Sequence, residues 1–435
     1  MAPDDGRTLL DYQFTMIAID EIHGYRNINN KMGMILALTK KTGFTVGMSG
    51  TPVNTRLMDL WNVGRMLRIG YFIGPSSAET ALQAEREIRT AERRDKKAQP
   101  VVESLKRAQD AEKDEDDGNE GCQVTIEWMH RLRQHFSGHI IRRVKESKDL
   151  DGLPIIDMEL YEERVLRLDL YEHEYKKLEE SAEVKDHSES FYVVLRRCLT
   201  HPNIVDPAYS LPATTEEWEN NPSRKLDVLV QVITHHLKTP NAAYLKSTKR
   251  EGFKGAFDKY DVTADEVGPP PPPSHDKLGH INGPDKIIVY SAFPSNNPLI
   301  VNVLRLFFIE ALELHGSMGS KARNEVLETF RKSDKLGPRV LIVSGVGVQG
   351  LNLACANIVI AIDMLWSAIE DQQLIGRAWR FPNTKRVVMY RLIADRTPDV
   401  FLNNMAFNKL IMYQAFISTP DIIRKIFFMV GQFFS

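Results

Sequence analysis

Four short runs of branched aliphatic residues in the second half of the chain constrain its fold most. Lys286-Ile-Ile-Val-Tyr290, Arg339-Val-Leu-Ile-Val343, Asn357-Ile-Val-Ile-Ala-Ile362 and Val387 to Leu392 are nearly continuous in apolar residues. A strand with one wet face alternates apolar and polar residues, whereas a continuous run is buried on both faces. Between the runs lie stretches with helical spacing: Asn297 to Ile309, Lys321 to Arg331, and Glu370 to Trp379. Strands alternating with helices predict a parallel sheet covered by helices. A smaller version of the pattern opens the chain. Phe14 to Ile19 and Phe44 to Met48 are short apolar runs, and Lys31 to Thr42 between them places Met32, Ile35, Leu36 and Leu38 at helical spacing. Leu57 to Leu67 reads as the next helix, with Leu57, Leu60, Trp61 and Leu67 inward.

The rest of the chain divides by composition. Glu85 to Glu120 is dense in charge and is read as an exposed helix or a disordered insertion, the latter from Glu112 to Gly121. Ile126 to Val144 is amphipathic and carries Arg131, Arg133, Arg142 and Arg143, read as a solvated, ion-paired face. Leu166 to Leu178 reads as a strand and a helix start, Phe191 to Leu199 as a helix, and Ser223 to Leu237 as a helix with Ser223 as its N-cap. Phe253 to Pro284, with prolines at 269–273, reads as a stiff linker or insertion. The expected domains are 1–150, an interlobe segment 151–252, the linker 253–284, a lobe at 285–405 and a helical extension 406–435.

A net charge of −2 gives no global basic field, so any nucleic-acid contact must be local. Three cysteines without CxxC spacing argue against a disulfide framework or a zinc site and fit a reducing compartment. Cys198 and His201 lack further ligands and read as structural. No apolar run is long enough to span a bilayer, so no membrane partner is expected.

Three motifs carry chemistry. Asp20-Glu21-Ile-His23 ends the first strand, where an acidic pair can hold a metal ion and polarise water. Ser49-Gly50-Thr51-Pro52 ends the second, with Gly50 permitting a turn and Pro52 starting a helix. Gln373-Leu-Ile-Gly-Arg377-Ala-Trp-Arg380 places two guanidinium groups three residues apart, on one face if the helix continues. Planar guanidinium groups suit bidentate binding of phosphate oxygens. Upstream, Ser344-Gly345-Val-Gly-Val-Gln-Gly350-Leu-Asn352 forms a glycine-rich loop after a strand, where amides can approach phosphates closely.

Together, and in this order, these motifs resemble the Swi/Snf-type DNA-translocating ATPases of helicase superfamily two. Ile140-Ile-Arg-Arg-Val-Lys145, Leu195 to Pro202, Ser223-Arg-Lys-Leu226 and Leu314-His-Gly-Ser317 extend the likeness. It covers roughly residues 12–75 and 125–405. The resemblance implies two RecA-like α/β lobes, the first truncated at its N-terminal side and the second complete. It implies ATP and Mg2+ as cofactors, with Asp20 holding the metal, Glu21 polarising the attacking water and His23 coupling the lobes. Arg377 and Arg380 would stabilise the γ-phosphate, and Gln373, Gly350, Ser49, Gly50 and Thr51 would serve the nucleotide or its coupling to movement. Ser344, Gly345 and Asn352 would touch DNA. Duplex DNA or nucleosomes, a remodelling complex and a nuclear location follow from the same likeness. Two departures stand out: Gly345 and Gly347 are split by Val346, and Phe381-Pro-Asn383 follows Arg380 where the family commonly carries Gly-Gln. The phosphate-cradling pattern GxxxxGK[ST] occurs nowhere in the 435 residues. The expectation is therefore a family ATPase inactive as this chain stands, or a non-catalytic interaction protein derived from one.

Overall fold

The computed structural model describes residues 8–49, 57–98, 120–141, 147–153, 155, 161–183, 189–239, 242–250, 259–265, 283–344, 351–364, 368–381, 383 and 385–400. The chain divides into two compact units, one built on residues 1–142 and the other chiefly on 143–404.

In the first unit, β1 (Phe14–Ile19) and β2 (Thr42–Gly47) pair in parallel, joined by α1 (Asn30–Thr39). Asn29 starts α1 by accepting the amides of Lys31 and Met32 at 3.0 and 3.1 Å, the usual way a cap satisfies orphan helix donors. Helices α2 (Leu57–Met66), α3 (Gly70–Ile73), α4 (Ser77–Ala98) and α5 (Glu120–Phe136) complete the unit. Leu60, Trp61, Met66, Phe72, Met129 and Leu132 form its core. The charged segment is thus helical as far as Ala98, and α4 turns a stripe of small residues, Ala81, Ala84 and Ala91, inward. Glu87 accepts the indole N–H of Trp128 at 2.7 Å, tying α4 to α5. Residues 99–119 lie outside the described set. On α5, Arg131 stacks over Trp128 at 4.8 Å. The β1–β2 pair leaves Met16 56 % and Phe44 63 % exposed, unusual for a parallel pair, whose faces are ordinarily covered.

The second unit is organised by a six-stranded sheet, all parallel, in the order β3-β10-β9-β6-β8-β7. Its strands are β3 (Glu162–Leu168), β6 (Ile287–Ser291), β7 (Ala311–Leu314), β8 (Val340–Ser344), β9 (Ile358–Ala361) and β10 (Val388–Ala394). Strand alternation sorts the core into two layers. Ile287, Val289, Val340, Ile342, Ile358 and Ile360 face α9 (Arg224–Lys238) and α10 (Asn297–Leu306). Ile288, Leu341, Val343 and Val359 face α11 (Ser320–Lys332) and α12 (Ala368–Ala378). The continuous apolar runs are therefore buried from end to end, as their composition predicts.

Several details differ from the sequence expectation. The sheet does not begin at residue 285: β3, from the segment read as interlobe, pairs along the whole of β10. The linker stretch contains β5 (Tyr260–Ala264), which forms an antiparallel hairpin with β4 (Leu245–Lys249). The proline run at 269–273 and the extension 406–435 lie outside the described residues. α6 (Glu172–Glu183), α7 (Glu189–Cys198) and α8 (Thr215–Asn220) supply the remaining helices. Ser223 precedes α9 but does not cap it; its hydroxyl donates to the Thr200 carbonyl at 2.7 Å. The Glu174 carboxylate instead accepts the Arg224 amide at 3.2 Å, placing negative charge at the helix N-terminus.

Candidate functional site

The acidic motif of the first unit is held in a strained turn. Glu21 adopts the left-handed conformation, with φ 46° and ψ 47°. A non-glycine residue pays for this region and keeps it only where its surroundings demand it. The Asp20 carboxylate accepts the Glu21 amide at 2.9 Å, and Ile22 donates to the Met48 carbonyl at 3.0 Å. Gly47 lets Ile22 pack closely beside this turn: a Cβ there would meet Ile22 Cδ1 at 2.7 Å, so the Ile22 side chain would have to shift. The turn brings the Glu21 carboxylate 3.3 Å from His23 Nδ1, and the same nitrogen lies 2.8 Å from Ser49 Oγ. His23 thus links the ends of the two strands. Burial pushes its pKa below the usual histidine value, partly offset by Glu21, so the ring is neutral near pH 7. Arg26 donates to the His23 carbonyl at 2.9 Å and pairs with the buried Asp59 at 3.3 Å, fixing the turn from below. The sequence reading missed this Arg26–Asp59 support. Gly50, Thr51 and Pro52 lie outside the described residues.

The acid end fits a magnesium ion. Mg2+ takes one or two carboxylates and fills its shell with phosphates and waters rather than with a protein cage. Asp20 offers an exposed carboxylate of the kind that would hold it.

In the second unit, the motif-bearing segments leave the carboxyl ends of neighbouring strands. β6 lies between β8 and β9, and the chain crosses from one side of it to the other between β8 and β9. In open α/β sheets this crossing point is where ligands bind. Residues 345–350 follow β8 and lie outside the described set, so Gly345 and Gly350 are not placed. Ser344, the last residue of β8, is fully buried, and its hydroxyl has no partner among the described groups. Asn352 is exposed, and its side chain accepts the Ala354 amide at 3.1 Å.

After β9 the chain enters α12, which carries the arginines. Leu374, Ile375 and Ala378 bury one stripe of this helix against the sheet, leaving Gln373 and Arg377 half-buried beside it. Burying Leu374 and Ile375 contributes about 1.5–3 kcal/mol each. The helix is anchored at its first turn: Asp371 is buried and ion-paired with Arg391 of β10, which also reaches Glu163 of β3 at 3.2 Å. Burial raises the Asp371 pKa to about 6 even against that guanidinium. Arg380, expected to share a helix face with Arg377, lies past the last helical residue. Its amide bonds back to the Ala378 carbonyl at 2.9 Å, so the two guanidinium groups are presented by a helix end and the turn after it. Arg380 is exposed.

Residues leading into α12 are also clamped. Lys225 of α9, fully buried, lies 2.6 Å from Asp399 and donates to the Ile362 carbonyl at 2.9 Å. Asp363 accepts from Ser291 Oγ at 3.1 Å and the Ala292 amide at 2.9 Å, and Arg196 of α7 donates to the Met364 carbonyl. Cys198 and His201 form no metal pair: His201 Nε2 bonds the Asn221 carbonyl at 3.0 Å, and Nδ1 accepts the Asn203 amide at 3.2 Å.

With this geometry in place, the comparisons are specific. Residues 275–382 match the helicase conserved C-terminal domain, which spans β6 through the arginine turn. The ISWI chromatin-remodeling complex ATPase ISW1 of Saccharomyces cerevisiae is 21% identical over 414 residues, 92% of this chain and 29% of that protein. The ATP-dependent helicase fft1 of Schizosaccharomyces pombe is 29% identical over 141 residues, 32% of this chain and 15% of the relative. The DNA repair protein rhp54 of the same yeast is 34% identical over 113 residues, 26% of this chain and 13% of the relative. In all three the match spans 29% or less of the relative's own length. Among solved structures, the C-terminal part of the Fun30 ATPase domain aligns with 57% of this chain and 88% of that chain, at 16% identity and a TM-score of 0.37. The chain thus carries a helicase conserved C-terminal domain and is similar to ATP-dependent helicases and chromatin-remodelling ATPases.

Proposed function

We propose that this chain is part of an ATP-driven motor that moves along duplex DNA, in the nucleus, on nucleosomes or at sites of repair. The observation that carries the reading is the arginine pair Arg377 and Arg380 on an anchored helix end that closes a matched helicase C-terminal domain. In this reading Asp20 holds Mg2+ and ATP supplies the phosphoryl group. Glu21 orients the attacking water, and the neutral His23 relays the state of Glu21 to Ser49. Arg377 and Arg380 offset the charge that spreads over the γ-phosphate oxygens. The exposed Met16 and Phe44 support a covering layer on that face of β1 and β2, supplied by another part of the protein or by another chain.

The 435 residues contain no phosphate-cradling loop. Phosphoryl transfer rests almost wholly on positioning and charge stabilisation, so the acids and arginines alone do not sustain it. The test is ATP turnover, with and without duplex DNA, by the 435-residue chain and by the same chain joined upstream to a P-loop-bearing first-lobe segment. The short chain is expected to be silent and the joined one active and DNA-stimulated. Robust turnover by the short chain would refute the requirement for the loop. A joined protein that folds, binds ATP and stays inert would favour a second reading, a non-catalytic interaction protein built on the same lobes.

A further inference from the structure

The turn that carries Arg380 departs from the family pattern at Asn383, and the structure gives that residue a defined task. The Asn383 side-chain amide donates to two carbonyls, Ala356 at 2.7 Å and Ala378 at 3.0 Å. Ala378 is the last residue of α12, and Ala356 belongs to the segment entering β9. One NH2 group therefore ties the helix end to the sheet and shares the Ala378 carbonyl, whose two lone pairs can take two donors, with the Arg380 amide. The rest of the residue is engaged too. Its backbone amide donates to the Arg380 carbonyl at 2.8 Å, and its side-chain oxygen accepts the Lys385 amide at 3.0 Å. Lys385 in turn is held by the buried Asp285 at 2.6 Å. On the other side of the turn, Trp379 packs edge-on against Tyr161 with ring centroids 5.1 Å apart. Arg380 and Phe381 are exposed within this closed loop of contacts.

We propose that Asn383 is a positioning residue that fixes the direction of the Arg380 guanidinium toward phosphate, replacing a longer helix with a stapled turn. The proposal rests on the phosphate-binding reading of the arginine pair. Arg377 sits within α12 and takes its direction from the helix, whose first turn Asp371 and Arg391 hold. Arg380 lies outside the helix, and Asn383 bridges the turn that presents it. Loss of the Asn383 amide therefore affects Arg380 and spares Arg377.

The experiment measures binding of inorganic tripolyphosphate at low salt to the full 435-residue chain by calorimetry, well below the unfolding temperature. Arg377→Ala and Arg380→Ala are each expected to weaken binding about tenfold, the scale of a lost charge-assisted hydrogen bond. Asn383→Ala is expected to weaken it by about five- to tenfold. Asn383→Leu, which is of similar size and removes the donors without adding a charge, is expected to do the same and serves if the alanine variant does not fold. The deciding readout is coupling. Asn383→Ala added to Arg380→Ala should cost nothing more, whereas added to Arg377→Ala it should cost its full amount. A merely structural asparagine would lower the melting temperature without this selectivity. Unchanged affinity in both Asn383 variants, or equal additivity with both arginines, overturns the positioning role while leaving the phosphate reading intact. No binding by the unaltered chain, or indifference to both arginine substitutions, overturns the phosphate reading itself.

Discussion

Asp399→Asn is expected to destabilise the second unit by about 3–5 kcal/mol, because it strands the Lys225 ammonium in a dry interior. Lys225 is 0% and Asp399 3% exposed, and their separation is 2.6 Å. The Asp399 carboxylate also accepts the Ala394 amide at 3.1 Å, so it closes the end of β10 as well as pairing the cation. Asparagine keeps the shape and part of the hydrogen bonding but not the charge. Removing both charges, as Lys225→Met with Asp399→Asn, is expected to recover most of the loss, since a buried pair is often replaceable by packed apolar atoms. Urea unfolding of the full chain, read in the transition of the second unit, measures both. An Asp399→Asn protein with an unchanged midpoint would show that water reaches Lys225 and that the clamp on Ile362 is not dry.

Acidification is the second large lever. Burial lowers the pKa of His201 and of His236 from 6.5 to about 4. Loss of hydration keeps both rings neutral, against the Asn221 carbonyl that accepts from His201 Nε2 and by itself favours the charged ring; His201 Nδ1 accepts the Asn203 amide, and the Tyr390 hydroxyl lies 3.0 Å from His236 Nε2. Because the folded-state pKa lies below the unfolded one, the unfolded chain binds more protons between these values. Stability is then fully present above about pH 6.5 and falls as pH drops toward 4, by about 3 kcal/mol per histidine at most. Unfolding midpoints of the second unit at pH 7.5 and 4.5 are expected to differ strongly, and less so after His201→Asn with His236→Asn. The same acid sensitivity in the double variant would assign it to carboxylates instead.

The buried strands were legible because continuous aliphatic runs have one stable solution, a sheet covered on both faces. The elements that escaped lack that signal. β7 is four residues long, with Glu313 inside it and three of its four positions only half-buried. β4 reads Leu245-Lys-Ser-Thr-Lys249, polar enough to pass for a connection, and it is held by pairing with β5 and by the Tyr390 hydroxyl, which accepts the Leu245 amide. β3 looked like an interlobe element because its partner, β10, lies more than two hundred residues later.

At the site, the residue types were legible and their supports were not. Asp20, Glu21, His23 and Ser49 were readable as motifs, and local folding brings Glu21, His23 and Ser49 within hydrogen-bond reach. Nothing in the sequence indicates that Glu21 takes a left-handed turn, since that strain is imposed by contacts between the strand ends. The arginine spacing was visible, but the helix stops at Ala378 and presents Arg380 differently. Asp371, Arg391 and Lys225 were passed over because a charge inside an apolar pattern announces its partner only after folding. One signal was available: Lys225 directly precedes Leu226 in an otherwise apolar helix face, where a lone cation requires a buried anion.

The central claim, that the acidic turn and the arginine turn each serve the proposed ATP hydrolysis, is tested by turnover in the P-loop-joined protein. DNA-stimulated ATP hydrolysis is measured for the parent, Glu21→Gln and Arg380→Ala, with ATP affinity determined in parallel. Each substitution is expected to lower kcat by about a thousandfold while ATP binding is largely spared, because both groups act mainly on the transition state. Hydrolysis that continues at the parental rate in both variants would contradict the account.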